Sequence, residues 1–294
     1  MTSPTLNQLP ANSGNVSEHF APSSSICGRR AISSWVLGIG VALSALAGFS
    51  APANAGSAEW EGQELPRLFD GSFRLPSSGR DMRFIAAIPA DMSHPAARSA
   101  VILVHGLGTF DEQADRWVPY AEQLARNGFV AIYPDVRILK NELGPQDCVE
   151  VARALKAHPR LAIDHVAVVG GSAGNLSALS SVQIYTDEFD AYVDLYGGLE
   201  LRSWGHLDSD ALAGMEVPVL SQVGENDHHA VRATLALDRG LGDENPELPR
   251  SVRIYEKSGH GFFFRDTLSG QAARRDQIEF LWWALVGGDV PQWY

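Results

Sequence analysis

Cysteine is scarce in this chain: its 294 residues include two, Cys27 and Cys148. Loss of an N-terminal segment carrying Cys27 leaves Cys148 alone, which excludes an internal disulfide. Cys148 lies in the helical pattern PQDCVEVARAL and reads as a packed small apolar residue rather than a reactive thiol. Long Lys or Arg runs are missing, and the formal net charge is -12. That balance argues against nucleic acid or an anionic membrane surface as a partner. Paired Cys or His at ligand spacing are also missing, so no metal is expected. Neither G-x-G-x-x-G nor G-x-x-x-x-G-K-[ST] occurs, which removes the usual phosphate cradles. Internal repeats are absent as well.

A long hydrophobic run is lacking too. The nearest approach is AISSWVLGIGVALSALAGF, densest from Trp35 to Phe49 and broken by Gly38, Gly40 and Gly48. It is short for a spanning helix. Arg29-Arg30 precede it, and Ala53-Asn54-Ala55 follows as a small-x-small cleavage pattern. Together these describe an export signal over residues 1–55, with a disordered Ser-, Asn- and Pro-rich beginning. Cleavage after Ala55 leaves a chain starting at Gly56, periplasmic or secreted and with no stable membrane insertion. Arg-Arg-x-Ile resembles a twin-arginine signal, and the general export route stays open beside it. A retained anchor or a buried helix is the alternative reading of the apolar run.

What remains, residues 56–294, reads as one α/β domain with a sizeable core. SFRLP and MRFIAAIP are weak strand patterns at its start. From residue 98 onward, buried strand patterns (SAVILVHG, FVAIYPD, DHVAVVGG, AYVDLYGG, VPVLSQVG, SVRIYEK) alternate with helical ones. The helical segments are DRWVPYAEQLARNG, PQDCVEVARALKAH, AGNLSALSSVQIY, a shorter one near SDALAG, HHAVRATLALDRG and QIEFLWWALV. Such alternation predicts a mainly parallel sheet with helices on both faces and no large cap domain.

Within that frame, GGSAG (residues 170–174) falls between a buried strand and a helix. G-x-S-x-G at such a junction is a nucleophile elbow, in which Ser172 is lifted above the carboxyl edge of the sheet. Gly170 and Gly174 allow strand and helix to approach while Ser172 takes a strained backbone. A serine hydroxyl needs a base, and the base needs an orienting carboxylate. The expected order Ser, acid, His is met by Asp227 in GEND and His260 in SGHGFF, each after a strand. Glu225 and Asp194 compete as the acid; His228 and His229 compete as the base, although both open a helix. The oxyanion hole then needs two backbone N–H groups. Ala173 supplies one and Leu107, after His105-Gly106, the other, with Gly108 as the fallback.

The order His-Gly, GGSAG, GEND and GHGF resembles the α/β-hydrolase superfamily, and within it the dienelactone hydrolase-like branch. NGFVAIYPDV and GHGFFF resemble that branch most. The resemblance spans about residues 80 to 287. It implies a cofactor-free hydrolase acting on small esters or lactones through an acyl-enzyme. Typical dienelactone hydrolases carry Cys where Ser172 stands and an acidic residue where Gly106 stands. Ser172 with Gly106 is more similar to a carboxylesterase, or to the hydrolase part of a prolyl-oligopeptidase-like enzyme. A small peptidase and a non-enzymatic ligand-binding relative are the alternative functions.

Substrate size is read from the segment between Gly197 and Met215, which is too short for an independent helical cap. An open, shallow site is expected. Trp204 and Phe262-Phe263-Phe264 either wall that opening or pack in the core.

Overall fold

The structure, a computed structural model, describes residues 65–138, 143–197 and 209–288. The export-signal reading of residues 1–55, the cleavage point before Gly56, and Trp204 lie outside the described residues.

Among the described residues, eight strands form one sheet: β1 (Arg67–Arg74), β2 (Asp81–Ile88), β3 (Ser99–Val104), β4 (Val130–Pro134), β5 (His165–Gly171), β6 (Ala191–Leu195), β7 (Val219–Gly224) and β8 (Arg250–Tyr255). Their spatial order is β1-β2-β4-β3-β5-β6-β7-β8. β1 and β2 are antiparallel to each other, and β2 is antiparallel to β4; every other pairing is parallel. β3, β4, β6 and β7 are buried along their whole lengths between two helical layers; the apolar run of β3 fits that place directly, whereas β6 and β7 also bury Asp194, Ser221 and Gln222. β1 instead alternates exposed and half-buried residues, the pattern of an edge strand with one wet face.

Among the described residues, the α-helices are α1 (Phe110–Arg126), α2 (Leu143–Ala157), α3 (Gly174–Ile184), the short α4 (Ser209–Ala213), α5 (His228–Glu244) and α6 (Leu268–Val286). The period-2 pleat sorts β3 between two cores. Ala100, Ile102 and Val104 face a cluster containing Cys148 and Val149 of α2, Leu176 and Leu179 of α3, and Leu237 of α5. Val101 and Leu103 face the opposite cluster, with Trp117 and Leu124 of α1 and Phe280 and Leu281 of α6. Helices therefore cover both faces of a mainly parallel sheet, the doubly covered α/β-hydrolase arrangement.

Two helices begin earlier than apolar periodicity alone indicates. α1 starts at Phe110 because Thr109 and Glu112 close a reciprocal capping box. α6 starts at Leu268 because the Thr267 hydroxyl accepts the Gly270 N–H. Within α2, the buried carboxylate of Asp147 holds Arg137, from the loop after β4, and, at 2.9 Å, Arg80, from the turn before β2. Cys148, beside it, is fully buried, and burial pushes its thiol well above the ordinary range.

Candidate active site

The carboxyl ends of β3, β5, β7 and β8 carry the predicted residues to one edge of the sheet. At β5 the chain turns from Gly171 through Ser172 into α3, and Ser172 has φ 53. That left-handed conformation is costly for a residue with a Cβ. It is held by the Ser172 N–H donating to Leu195 O at 2.9 Å and by the Asn175 N–H donating to Ser172 O at 3.1 Å. The turn is also crowded against β3. A Cβ on Gly174 would lie 2.3 Å from His105 O and 2.4 Å from Val104 O. One on Gly170 would lie 2.5 Å from Asn175 Oδ1. The two outer glycines of GGSAG are thus required by packing, and they let α3 start directly beside β3.

Ser172 Oγ and His260 Nε2 are 2.9 Å apart. On the other side of the ring, His260 Nδ1 and Asp227 Oδ2 are 2.5 Å apart. The structure therefore brings Ser172, His260 and Asp227 into one hydrogen-bonded series. Asp227 is the N-cap of α5, its Oδ1 accepting the Ala230 N–H at 3.3 Å. The rival acids stand elsewhere. Glu225 is exposed and accepts the Lys257 N–H at 2.9 Å, bridging the ends of β7 and β8. Asp194 is fully buried inside β6, accepting the Gly197 N–H at 2.8 Å and the Thr234 hydroxyl at 3.4 Å. Burial raises its pKa to about 6, with the Gly197 N–H and the Thr234 and Ser221 hydroxyls acting against that rise. His228 and His229 are exposed on the first turn of α5, and His229 Nδ1 meets Arg232 at 3.1 Å.

The oxyanion-hole candidates flank Ser172. A Cβ on Gly106 would be 3.0 Å from Ser172 Cβ and 3.6 Å from its Oγ, so the loop after β3 lies against Ser172. Neither the Leu107 nor the Ala173 N–H has an acceptor among the described residues. His105, at the start of that loop, is buried, and its Nδ1–H donates to Gly106 O at 2.8 Å. That donation makes Nε2 the unprotonated nitrogen, and burial lowers the pKa of the ring, which keeps it neutral.

Tyr196 was not among the residues singled out by the sequence, yet it packs on His260. Its ring is 4.8 Å from that of His260 in an edge contact, and its backbone is left-handed with φ 45. A tyrosine at the end of a strand pattern carries no signal for either property. The phenylalanine run packs in the core: Phe262 and Phe263 are 1% and 0% exposed. Gly261, at φ 70, turns the chain inward into a 3-10 turn. There Phe263 meets Tyr120 and Phe264 meets Trp117, each at 4.8 Å. Phe262 and Phe263 therefore form no wall for a substrate pocket, while Phe264 stays partly exposed.

Among the described residues, no cluster of three or more His, Cys, Asp or Glu could hold a metal ion, and no helix is long and apolar enough to cross a membrane.

Residues 140–281 match the dienelactone hydrolase family. No curated protein matches the sequence. Among solved structures, the chain is similar to a dienelactone hydrolase from Anabaena variabilis, with TM-score 0.60 and 18% identity over 76% of this chain and 100% of that one. It is similar to an esterase from Thermogutta terrifontis, with TM-score 0.57 and 18% identity over 74% and 93% of the two chains. It also resembles the acylaminoacyl peptidase of Pyrococcus horikoshii, with TM-score 0.60 and 14% identity over 77% of this chain but 43% of that one. At such identities the shared property is the fold.

Proposed function

We propose that this chain, an α/β hydrolase of the dienelactone hydrolase-like branch, cleaves small carboxylic esters or lactones through an acyl-enzyme at Ser172. The observation that carries the reading is the series Ser172–His260–Asp227 built on a strained serine. Asp227 accepts from His260 Nδ1–H and so leaves Nε2 as the lone-pair acceptor facing Ser172 Oγ. As Oγ attacks the substrate carbonyl carbon, its proton passes to His260 Nε2. The carbonyl oxygen takes the negative charge and is received by the N–H groups of Leu107 and Ala173. Collapse of this intermediate expels the alcohol, which takes the proton from His260 and leaves the acyl group on Ser172. Water, deprotonated by the same nitrogen, then releases the acid. No cofactor enters any step.

The test is covalent labelling with a fluorophosphonate, together with hydrolysis of p-nitrophenyl esters. Ser172→Ala should abolish labelling and lower kcat by on the order of a thousandfold or more, with an unchanged far-UV CD spectrum. Undiminished labelling would remove Ser172 from the role. Cleavage of amides but not esters would turn the reading to a small peptidase; no turnover and no labelling would turn it to a ligand-binding relative.

Part of the Gly197–Met215 segment lies outside the described residues, but its sequence is too short for an independent helical cap that could bury a long acyl chain, and each unburied methylene forfeits roughly 0.8 kcal/mol. p-Nitrophenyl acetate and butyrate should therefore exceed palmitate in kcat/KM. A preference for palmitate emulsions would indicate a lipase.

We further infer export, from Arg29-Arg30, the apolar run and Ala53-Asn54-Ala55. The mature periplasmic or secreted product should begin at Gly56 by mass spectrometry. A full-length chain found only in the cytosol would refute this.

A further inference from the structure

We propose that Gln113 is a positioning residue for the oxyanion-binding N–H of Leu107, an inference that rests on the acyl-transfer reading above. Leu107 is 64% exposed, so its own side chain has little packing to hold it in place. Its backbone is nevertheless pinned on both sides. The carbonyl of the preceding peptide, Gly106 O, is held by His105 Nδ1 at 2.8 Å. The carbonyl of the following peptide, Leu107 O, accepts from Gln113 Nε2 at 2.7 Å. In a planar trans peptide the C=O and N–H point in opposite directions. The buried His105 ring on Gly106 O therefore turns the Leu107 N–H away from the core, on the loop that lies against Ser172. Gln113 fixes the second plane, and the two together set both dihedral angles of Leu107.

The Gln113 amide is delivered from a rigid base. It sits in the first turn of α1, one residue past Glu112, whose carboxylate accepts the Thr109 N–H at 2.7 Å in the capping box. Gly108 passes so closely that a Cβ there would be 2.9 Å from Gln113 Nε2, and its φ of 116 is open to glycine. Without the Gln113 hydrogen bond, the Leu107–Gly108 peptide is free to rotate about a residue with no side-chain restraint. The Leu107 N–H then loses its fixed aim. Since negative charge on the carbonyl oxygen develops only on the way to the tetrahedral intermediate, the loss falls on the transition state more than on substrate binding.

The experiment compares wild type with Gln113→Glu, Gln113→Ala and Gln113→Lys in p-nitrophenyl acetate hydrolysis, in fluorophosphonate labelling rate and in thermal melting. Gln113→Glu keeps the shape and replaces the donor with an acceptor facing Leu107 O. We expect kcat to fall about tenfold in Gln113→Glu and Gln113→Ala, with KM within about twofold and labelling slowed in step. Gln113→Lys, which restores a donor, should recover part of that loss. Wild-type kcat in Gln113→Glu, a loss confined to KM, or Gln113→Lys no faster than Gln113→Ala would overturn the proposal and leave the serine hydrolase reading standing. A wild-type protein that neither labels at Ser172 nor cleaves an ester would overturn both.

Discussion

Asp227 Oδ2 stands 2.5 Å from His260 Nδ1 while Asp227 Oδ1 accepts the Ala230 N–H at 3.3 Å, so one carboxylate both orients an imidazole and caps α5. The two roles are separable by substitution. Asparagine caps a helix about as well as aspartate, but cannot balance an imidazolium. Asp227→Asn should therefore keep the melting temperature and lose kcat by roughly a thousandfold or more. Asp227→Ala should lose activity and, in addition, about 1 kcal/mol of stability. Glu225→Gln should retain most activity, because Glu225 holds the Lys257 N–H instead. Steady-state kinetics with thermal melts distinguish these outcomes; a larger activity loss in Glu225→Gln would move the acid to Glu225.

Gly174→Ala should be severely destabilising. The added methyl would meet two backbone oxygens, His105 O and Val104 O, at 2.3 and 2.4 Å, and neither can rotate aside. Separating α3 from β3 should cost on the order of 2–3 kcal/mol or more. It should also slow fluorophosphonate labelling, because Ser172 and the Leu107 loop would part. A denaturation midpoint equal to wild type would show that the junction has slack.

Asp194 sets a pH dependence of stability. Burial raises its folded pKa to about 6, above the 3.8 of an ordinary aspartate. A raised folded pKa means that the stability linked to this proton is fully present below about pH 4 and lost as pH rises through about 6. Asp194→Asn carries no such proton and keeps an acceptor for the Gly197 N–H. Its melting temperature relative to wild type should therefore rise between pH 4 and pH 7. A difference independent of pH would place the ionisation of Asp194 outside this window.

Tyr196 should act on His260 through its ring rather than its hydroxyl. Tyr196→Phe preserves the edge contact and should keep kcat within a few-fold. Tyr196→Ala leaves a void beside the imidazole and should lower kcat about tenfold or more, together with about 3 kcal/mol of stability. Equal losses in the two variants would assign the role to the hydroxyl.

The parallel strands were readable because strands buried on both faces must be apolar at consecutive positions, as VILV and VAVV are. Ser172, Asp227 and His260 stood out because strand ends recur at regular places and each lies just beyond one. The start of α1 was not visible in apolar spacing, since Thr109 and Glu112 define it through hydrogen bonds. The antiparallel pairing of β1 and β2 depends on partners remote in sequence, which a single strand pattern does not encode. The Phe262–Phe264 run was ambiguous because burial there follows from the left-handed turn at Gly261, not from the phenylalanines themselves. Gln113 and Tyr196 carried no signal at all: each matters for what folding sets beside it, Leu107 O and the His260 ring.

The φ of 53 at Ser172 has an evolutionary reading. Glycine occupies that backbone region without the steric cost that a Cβ incurs. Ser172→Gly should therefore yield a protein that is inactive yet melts at a higher temperature. Under selection for thermal robustness alone, position 172 would drift to glycine, and the hydroxyl would disappear from the lineage. A library screened for folding without a screen for turnover should for that reason enrich dead variants at this codon first.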